Sequence, residues 1–262
     1  MSREPRLRTA IGRVLLGAAL LVSASARPAR AESPSFLPEV FARLQAAHYF
    51  PDDDDQVWTG WIGAGADLLK TGNVTVEFTA DVETLIGREL RTFDPTQANY
   101  HLAAALRVLV AGDEVVPFFH HVSRHAVDRP KVKAVDWNLL GVRGRVGLAS
   151  GRGRVTVGAG WVIGDCPIGY EWEFTARSEF EPVPRLYAMA DARHVVAEPT
   201  PEFPRGSFTD LSLEGGVRWH SGPRILDVFA AFERRNDVFV HAPGVRDRLL
   251  LGFRLGPRDR IR

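Results

Sequence analysis

Cysteine is nearly absent: Cys166 is the only one in 262 residues, so no intramolecular disulfide can brace the chain. Long apolar runs are missing too beyond residue 31, where nothing approaches the roughly 18 to 20 residues that a membrane helix needs. Neither sign of charge dominates. Lys and Arg number 33 against 32 Asp and Glu, a formal charge of +1, which removes the electrostatic reason for a nucleic-acid partner.

The first 31 residues read as a secretory signal peptide. Arg3, Arg6, Arg8 and Arg13 form a basic start, Val14 to Ala24 an apolar core, and Ala29-Arg30-Ala31 a small-residue cleavage site. No Cys follows that site, so a lipoprotein anchor is not expected, and residues 32–262 are read as one mature domain. An exported chain with neither disulfide nor membrane helix needs another source of stability. A sheet closed on itself, with every strand edge paired, supplies it.

What is present is a period of two. Val74, Val76, Phe78, Ala80 and Val82 alternate with Thr75, Glu77, Thr79, Asp81 and Glu83, a pattern that only an extended strand converts into one apolar and one polar face. Trp172, Phe174, Ala176 and Phe180 against Glu171, Glu173, Arg177 and Glu179 repeat it. Further candidates run near 57–69, 99–111, 114–125, 134–149, 153–165, 185–196, 207–219, 224–234 and 246–256, eleven in all.

Short joins near Leu69–Asn73, Ala111–Glu114, Ser150–Gly153, Glu181–Pro184 and His220–Pro223 alternate with longer stretches rich in Pro, Asp and Arg. Tight turns on one rim and large loops on the other describe an all-β, antiparallel transmembrane barrel of the bacterial outer membrane. Such barrels usually carry an even number of strands, and the segment at 57–69 ends in a short turn, so a strand must precede it. Phe36 to Phe50 is the candidate, although Leu37, Val40, Phe41 and Leu44 would also suit a short amphipathic helix. The expectation is twelve strands with both termini periplasmic, or ten.

Alternation alone does not say which face meets lipid, since a soluble lipocalin-like barrel has the same period with its apolar face inside. Strand length, one-sided loops, and Trp58, Trp61, Trp161, Trp172 and Trp219 near strand ends favour lipid outside. Glu77, Asp81, Arg107, Arg143, Arg145, Glu173, Arg177, Asp210, Glu214, Arg218, Asp227 and Glu233 then point inward. Opposite charges crowded into a narrow lumen are expected to cross-link it.

The densest chemistry lies at His120-His121-Val122-Ser123-Arg124-His125, near the outer end of a rising strand. Closing the hairpin symmetrically around 126–133 sets Ser123 opposite Asp136, His121 opposite Asn138, Phe119 opposite Leu140 and Pro117 opposite Val142, with facing side chains about 5 Å apart. Ser, His and an Asp or Asn then share one face above an apolar band.

A His-x-Ser pair on an outer-leaflet strand, with a carboxylate or amide about a dozen residues on, is similar to the site of outer-membrane phospholipase A and of lipid A deacylases. The resemblance covers this hairpin and the barrel plan. It implies hydrolysis of a membrane-lipid acyl ester, with Ser123 as nucleophile, His121 as general base, Asp136 or Asn138 fixing the imidazole tautomer, and membrane lipid or lipopolysaccharide as partner. The phospholipase pattern continues Ser with Asn and Gly; here Arg124 and His125 follow.

Two other readings of the cluster stay open: interfacial polar residues bonded to their cross-strand neighbours in a non-enzymatic structural or solute-passing barrel, and a zinc site from His121, His125 and Asp128 or Asp136. Asp52 to Asp55 is either a solvated loop or a site for calcium or for divalent ions bridging lipopolysaccharide. No other cofactor is indicated. Cys166 reads as an inert thiol in an outer loop.

Overall fold

A computed structural model describes residues 33–130, 135–148, 151–201, 204–236 and 244–257; the signal-peptide segment lies outside them. Among the described residues the chain forms β1 (Ser35–Phe50), β2 (Trp58–Thr71), β3 (Val74–Gly87), β4 (Asp94–Val110), β5 (Asp113–Ala126), β6 (Val135–Gly147), β7 (Gly153–Ile163), β8 (Tyr170–Val183), β9 (Leu186–Ala197), β10 (Phe208–Ser221), β11 (Arg224–Arg235) and β12 (Arg246–Pro257). Each pairs antiparallel with its sequence neighbours, and β12 pairs with β1 to close the barrel. No described helix is long and apolar enough to cross a membrane.

Residues 36–50 are a strand, not a helix, because closure gives both their edges a partner, β2 on one side and β12 on the other. β4 begins at Asp94, five residues before the alternation becomes legible, where its outer end continues along β3 as far as Gly87. The short turns lie on one rim. Ala111 and Gly112 take φ of 53° and 95°, the left-handed pair that a two-residue hairpin needs for its twist to match the strands it joins. Both described ends of the barrel lie at that rim, Ser35 beside Lys70 and Pro257 beside Arg224.

The wall is inverted relative to a soluble barrel. Ile62, Phe78, Leu102, Val157, Leu213, Leu249 and Leu251 are all exposed on its outside, an apolar surface far beyond the few hundred Å² a soluble monomer shows. Charge is inside. Arg235 on β11 reaches across to Glu83 on β3 with hydrogen bonds of 2.7 and 3.1 Å, and Arg43 on β1 pairs with Asp81 on β3. Nearer the short-turn rim, fully buried Arg218 clasps Asp227 at 2.7 and 2.9 Å and reaches Glu179 at 2.5 Å and Glu181 at 3.0 Å. Arg254 bonds Glu214 at 2.6 Å, and the Tyr187 hydroxyl donates to the same carboxylate at 2.7 Å.

These pairs need room, and two glycines on the inner face of β2 provide it. A Cβ at Gly63 would fall 1.7 Å from Asp81 Oδ1, and one at Gly65 would fall 2.4 Å from Phe41 Cζ. Between the ionic layers lies a cavity of about 370 Å³ whose wall includes Trp61, His101, His120, Met189 and Phe229. Trp61 therefore corrects the expected girdle. Its parity on β2 turns it inward, with its ring 5.0 Å from that of His101, whereas Trp161 and Trp172 keep to the outer wall, 6.1 Å apart.

Arginines that reach across the lumen to strands as far as four places round the barrel narrow the free cross-section for ions. Purified protein in a planar bilayer at neutral pH should show no conductance steps; regular ohmic steps would contradict a bridged lumen.

Candidate functional site

The expected β5–β6 register is the observed one: Ser123 faces Asp136, His121 faces Asn138, Phe119 faces Leu140 and Pro117 faces Val142. Local sequence explains much of this. On β5 the apolar Val116, Phe118 and Val122 turn inward, and the His121, Ser123 and His125 side chains turn out. Pro117 has no N–H to give, and the ladder to β4 is interrupted there, with no Cα partner for Val116 or Pro117.

The hairpin is braced from inside the barrel. Val122, Val135, Trp137, Leu139, Ile168, Tyr170, Val195 and Phe208 form a buried apolar cluster directly behind the outward side chains, and the Arg124 guanidinium lies 4.9 Å over the Trp137 ring. Above, Arg129 ties the β5–β6 loop to the neighbouring loop and strand, bonding Glu89 at 2.7 Å and Asp94 at 2.9 Å. Burial works against the charge on Arg129, but these two carboxylates outweigh it and hold its pKa above the ordinary arginine value.

On the outer face, His121 Nδ1 lies 2.9 Å from Asn138 Oδ1. An amide oxygen only accepts, so Nδ1 carries a proton and Nε2 is the nitrogen left for proton exchange. Ser123 Oγ lies 2.6 Å from Nε2 of His125, whose ring meets Tyr100 edge-on at 5.5 Å. The serine thus sits between two imidazoles on one strand face and bonds the second, where the sequence pointed to the first. Asp136 stands opposite Ser123 in register, yet the serine's hydrogen bond runs along its own strand.

Sequence reasoning passed over His125 as a partner of Ser123, although its i+2 spacing already put the two on one face. It also passed over Tyr100, which pairs with Ser123 and could have been found by counting back from the Ala111-Gly112 turn. Tyr100, Leu102, Phe119 and Leu140 supply exposed apolar area around the polar group. From Phe118 to Arg124 β5 is paired on both sides, so the backbone amides there are committed to barrel ladders.

The metal readings fare differently from the hydrogen-bonded one. The carboxylates of the Asp52 to Asp55 run are ion-paired: Asp52 and Asp54 with Arg88, Asp53 with Arg246 and Arg248, and Asp55 with Arg246. Asp128 pairs with Arg91. Among the described residues no group of three or more His, Cys, Asp or Glu is placed to hold a metal ion. Asp52 to Asp55 and Asp128 are thus turned toward arginines, His121 toward Asn138 and His125 toward Ser123.

Cys166 sits in the β7–β8 loop against the apolar cluster. Burial pushes its thiol pKa up, so less thiolate is present at any given pH. Maleimide should therefore modify the folded protein at pH 7.5 more slowly than the unfolded protein; equal rates would contradict the packing.

An antiparallel barrel with an apolar outside, an ion-paired lumen and one long-looped rim is a transmembrane barrel of the outer-membrane class. No protein-family model matches the chain, and no curated protein matches its sequence. Its fold is similar to that of outer membrane phospholipases. The Salmonella typhi enzyme, in a dimer with bound calcium, gives a TM-score of 0.55 at 10% identity, covering 83% of this chain and 90% of that one. The Escherichia coli enzyme gives 0.53 at 10%, with the same coverage. An Asn-to-Ala active-site mutant of it gives 0.54 at 10%, covering 92% and 96%.

Proposed function

We propose that this barrel hydrolyses acyl esters of membrane lipids at the outer leaflet, with Ser123 as the nucleophile. His121, its tautomer set by Asn138, supplies an imidazole of defined role on the same face. The observation that carries the reading is the His121–Asn138 hydrogen bond. It places an oriented imidazole two residues from a serine, outside the barrel, where an ester in the membrane has access to both.

Two further points support it. The phospholipase of similar fold has an active-site asparagine by the description of its mutant, and here an asparagine is what the histidine bonds. The band of Leu102, Phe119 and Leu140 just below the polar group gives an acyl chain an apolar path from the bilayer to Ser123. The rival, a solute-passing barrel, has the ion-bridged lumen against it.

The test is fatty-acid release from labelled phospholipid and from lipid A in mixed micelles, with and without calcium. Release by the wild type that is absent in Ser123→Ala supports hydrolysis. No release under any of these conditions removes it.

A further inference from the structure

We propose that Ser123 is served by two imidazoles with separate duties: His125 takes the serine proton, and His121, held by Asn138, gives a proton to the departing alcohol. The inference rests on the ester-hydrolase reading and assigns the proton traffic within it.

The two imidazoles differ in partner, Ser123 for His125 and Asn138 for His121, and that difference divides the work. Ser123 Oγ lies 2.6 Å from His125 Nε2, and a His125 ring with its proton on Nδ1 accepts the hydroxyl hydrogen there, the arrangement of a base. His121 instead donates Nδ1–H to Asn138 Oδ1 at 2.9 Å. That bond is kept whether or not Nε2 carries a proton. One ring is thus arranged to receive a proton and the other to carry one. They flank the same hydroxyl at i+2 and i−2, each about 7 Å along the strand.

The remaining groups on this face fit the division. From β4 come Ala98, Tyr100 and Leu102, paired with His125, Ser123 and His121. From β6 come Asp136, Asn138 and Leu140. The titratable groups beside the two histidines on these strands are therefore Tyr100, whose ring supports His125, and Asp136. The carboxylate stands opposite Ser123 and so diagonally across from both histidines, about 7 to 8 Å away.

The steps balance. Oγ attacks the acyl carbon as its proton passes to His125 Nε2. The tetrahedral intermediate then breaks its bond to the alcohol oxygen, which takes the Nε2 proton of His121. The acyl-serine remains, with His125 charged and His121 neutral. In the second half water attacks the acyl-serine, its proton going to His121, while the leaving Oγ recovers its proton from His125. Fatty acid departs and both rings are back in their starting states.

Labelling with a fluorophosphonate separates the duties, because fluoride leaves without protonation. His125→Ala should label Ser123 at least about 100-fold more slowly than wild type, while His121→Ala should label within a few-fold of it yet lose at least about 100-fold in phospholipid hydrolysis. Hydrolysis of a p-nitrophenyl acyl ester, whose alcohol is acidic, should survive in His121→Ala far better than phospholipid hydrolysis. Folding of each variant is checked by its heat-dependent mobility on a detergent gel. Labelling lost in His121→Ala and kept in His125→Ala would overturn the division and leave the hydrolase reading standing. Wild-type protein that neither labels nor releases fatty acid would overturn both.

Discussion

Ser123→Ala is expected to reduce fatty-acid release by at least about 10³-fold, since a nucleophile's loss leaves only what binding and solvation contribute. The barrel should be indifferent to the change. Ser123 faces outward, and its side-chain hydrogen bond goes to His125, itself an exposed residue, so no packed core is disturbed. Asn138→Ala should be milder. A hydrogen bond contributes about 1 kcal/mol, which corresponds to roughly a fivefold loss if its work is to hold the His121 ring. The ordering, serine far more costly than asparagine with both variants folded, distinguishes catalysis from a structural polar patch. Equal release by wild type and Ser123→Ala would place the activity elsewhere.

The largest effect on stability should come from Arg218→Ala. The guanidinium is fully buried and forks onto Asp227, which is buried as completely, while also holding Glu179 and Glu181. Removing the cation takes a partner from all three carboxylates, leaving Arg254 at 3.7 Å from Asp227, Arg154 at 3.0 Å from Glu179 and His220 at 3.5 Å from Glu181. Breaking a buried ion pair from one side costs about 3 to 5 kcal/mol because the partner charge is left uncompensated. Urea titration in detergent, read by the mobility difference between folded and unfolded barrel, should show a clear shift to lower denaturant. Replacing the cluster together, as Arg218→Met with Asp227→Leu and Glu179→Gln, should recover much of the loss, since what destabilises is the unmatched charge. An unshifted Arg218→Ala midpoint would mean that the layer contributes nothing to the barrel.

Much of this architecture could be read before any coordinates. Strict alternation on β3 and the spacing of the short turns determined strand count, direction and both faces, because side-chain parity and turn length are local properties. The β5–β6 register was legible for the same reason: one loop fixes it. Trp61 was misplaced because proximity to a strand end was taken as membership of the interfacial girdle, whereas parity on β2 turns it toward His101. The run Asp52 to Asp55 was ambiguous because its partners, Arg88, Arg246 and Arg248, lie far along the chain and meet it only on closure. The Ser123–His125 bond depends on a single side-chain rotation. Sequence spacing allowed either neighbouring histidine, and only packing around Tyr100 and Asn138 distinguishes them.

The polar lining of the strands also bears on how such a polypeptide travels. A chain bound for an outer bilayer must first thread an inner one without lodging there, and arrest depends on the summed apolarity of a contiguous window. Polar and charged residues on the inner faces, as at Thr75, Glu77, Thr79, Asp81 and Glu83 of β3, dilute the apolarity of a strand until closure sorts the two sets onto opposite sides, and the mean hydropathy of the whole chain is only −0.10. Arg235 and Glu83, partners within the finished lumen, lie 152 residues apart along the chain and enter that passage as separate charges.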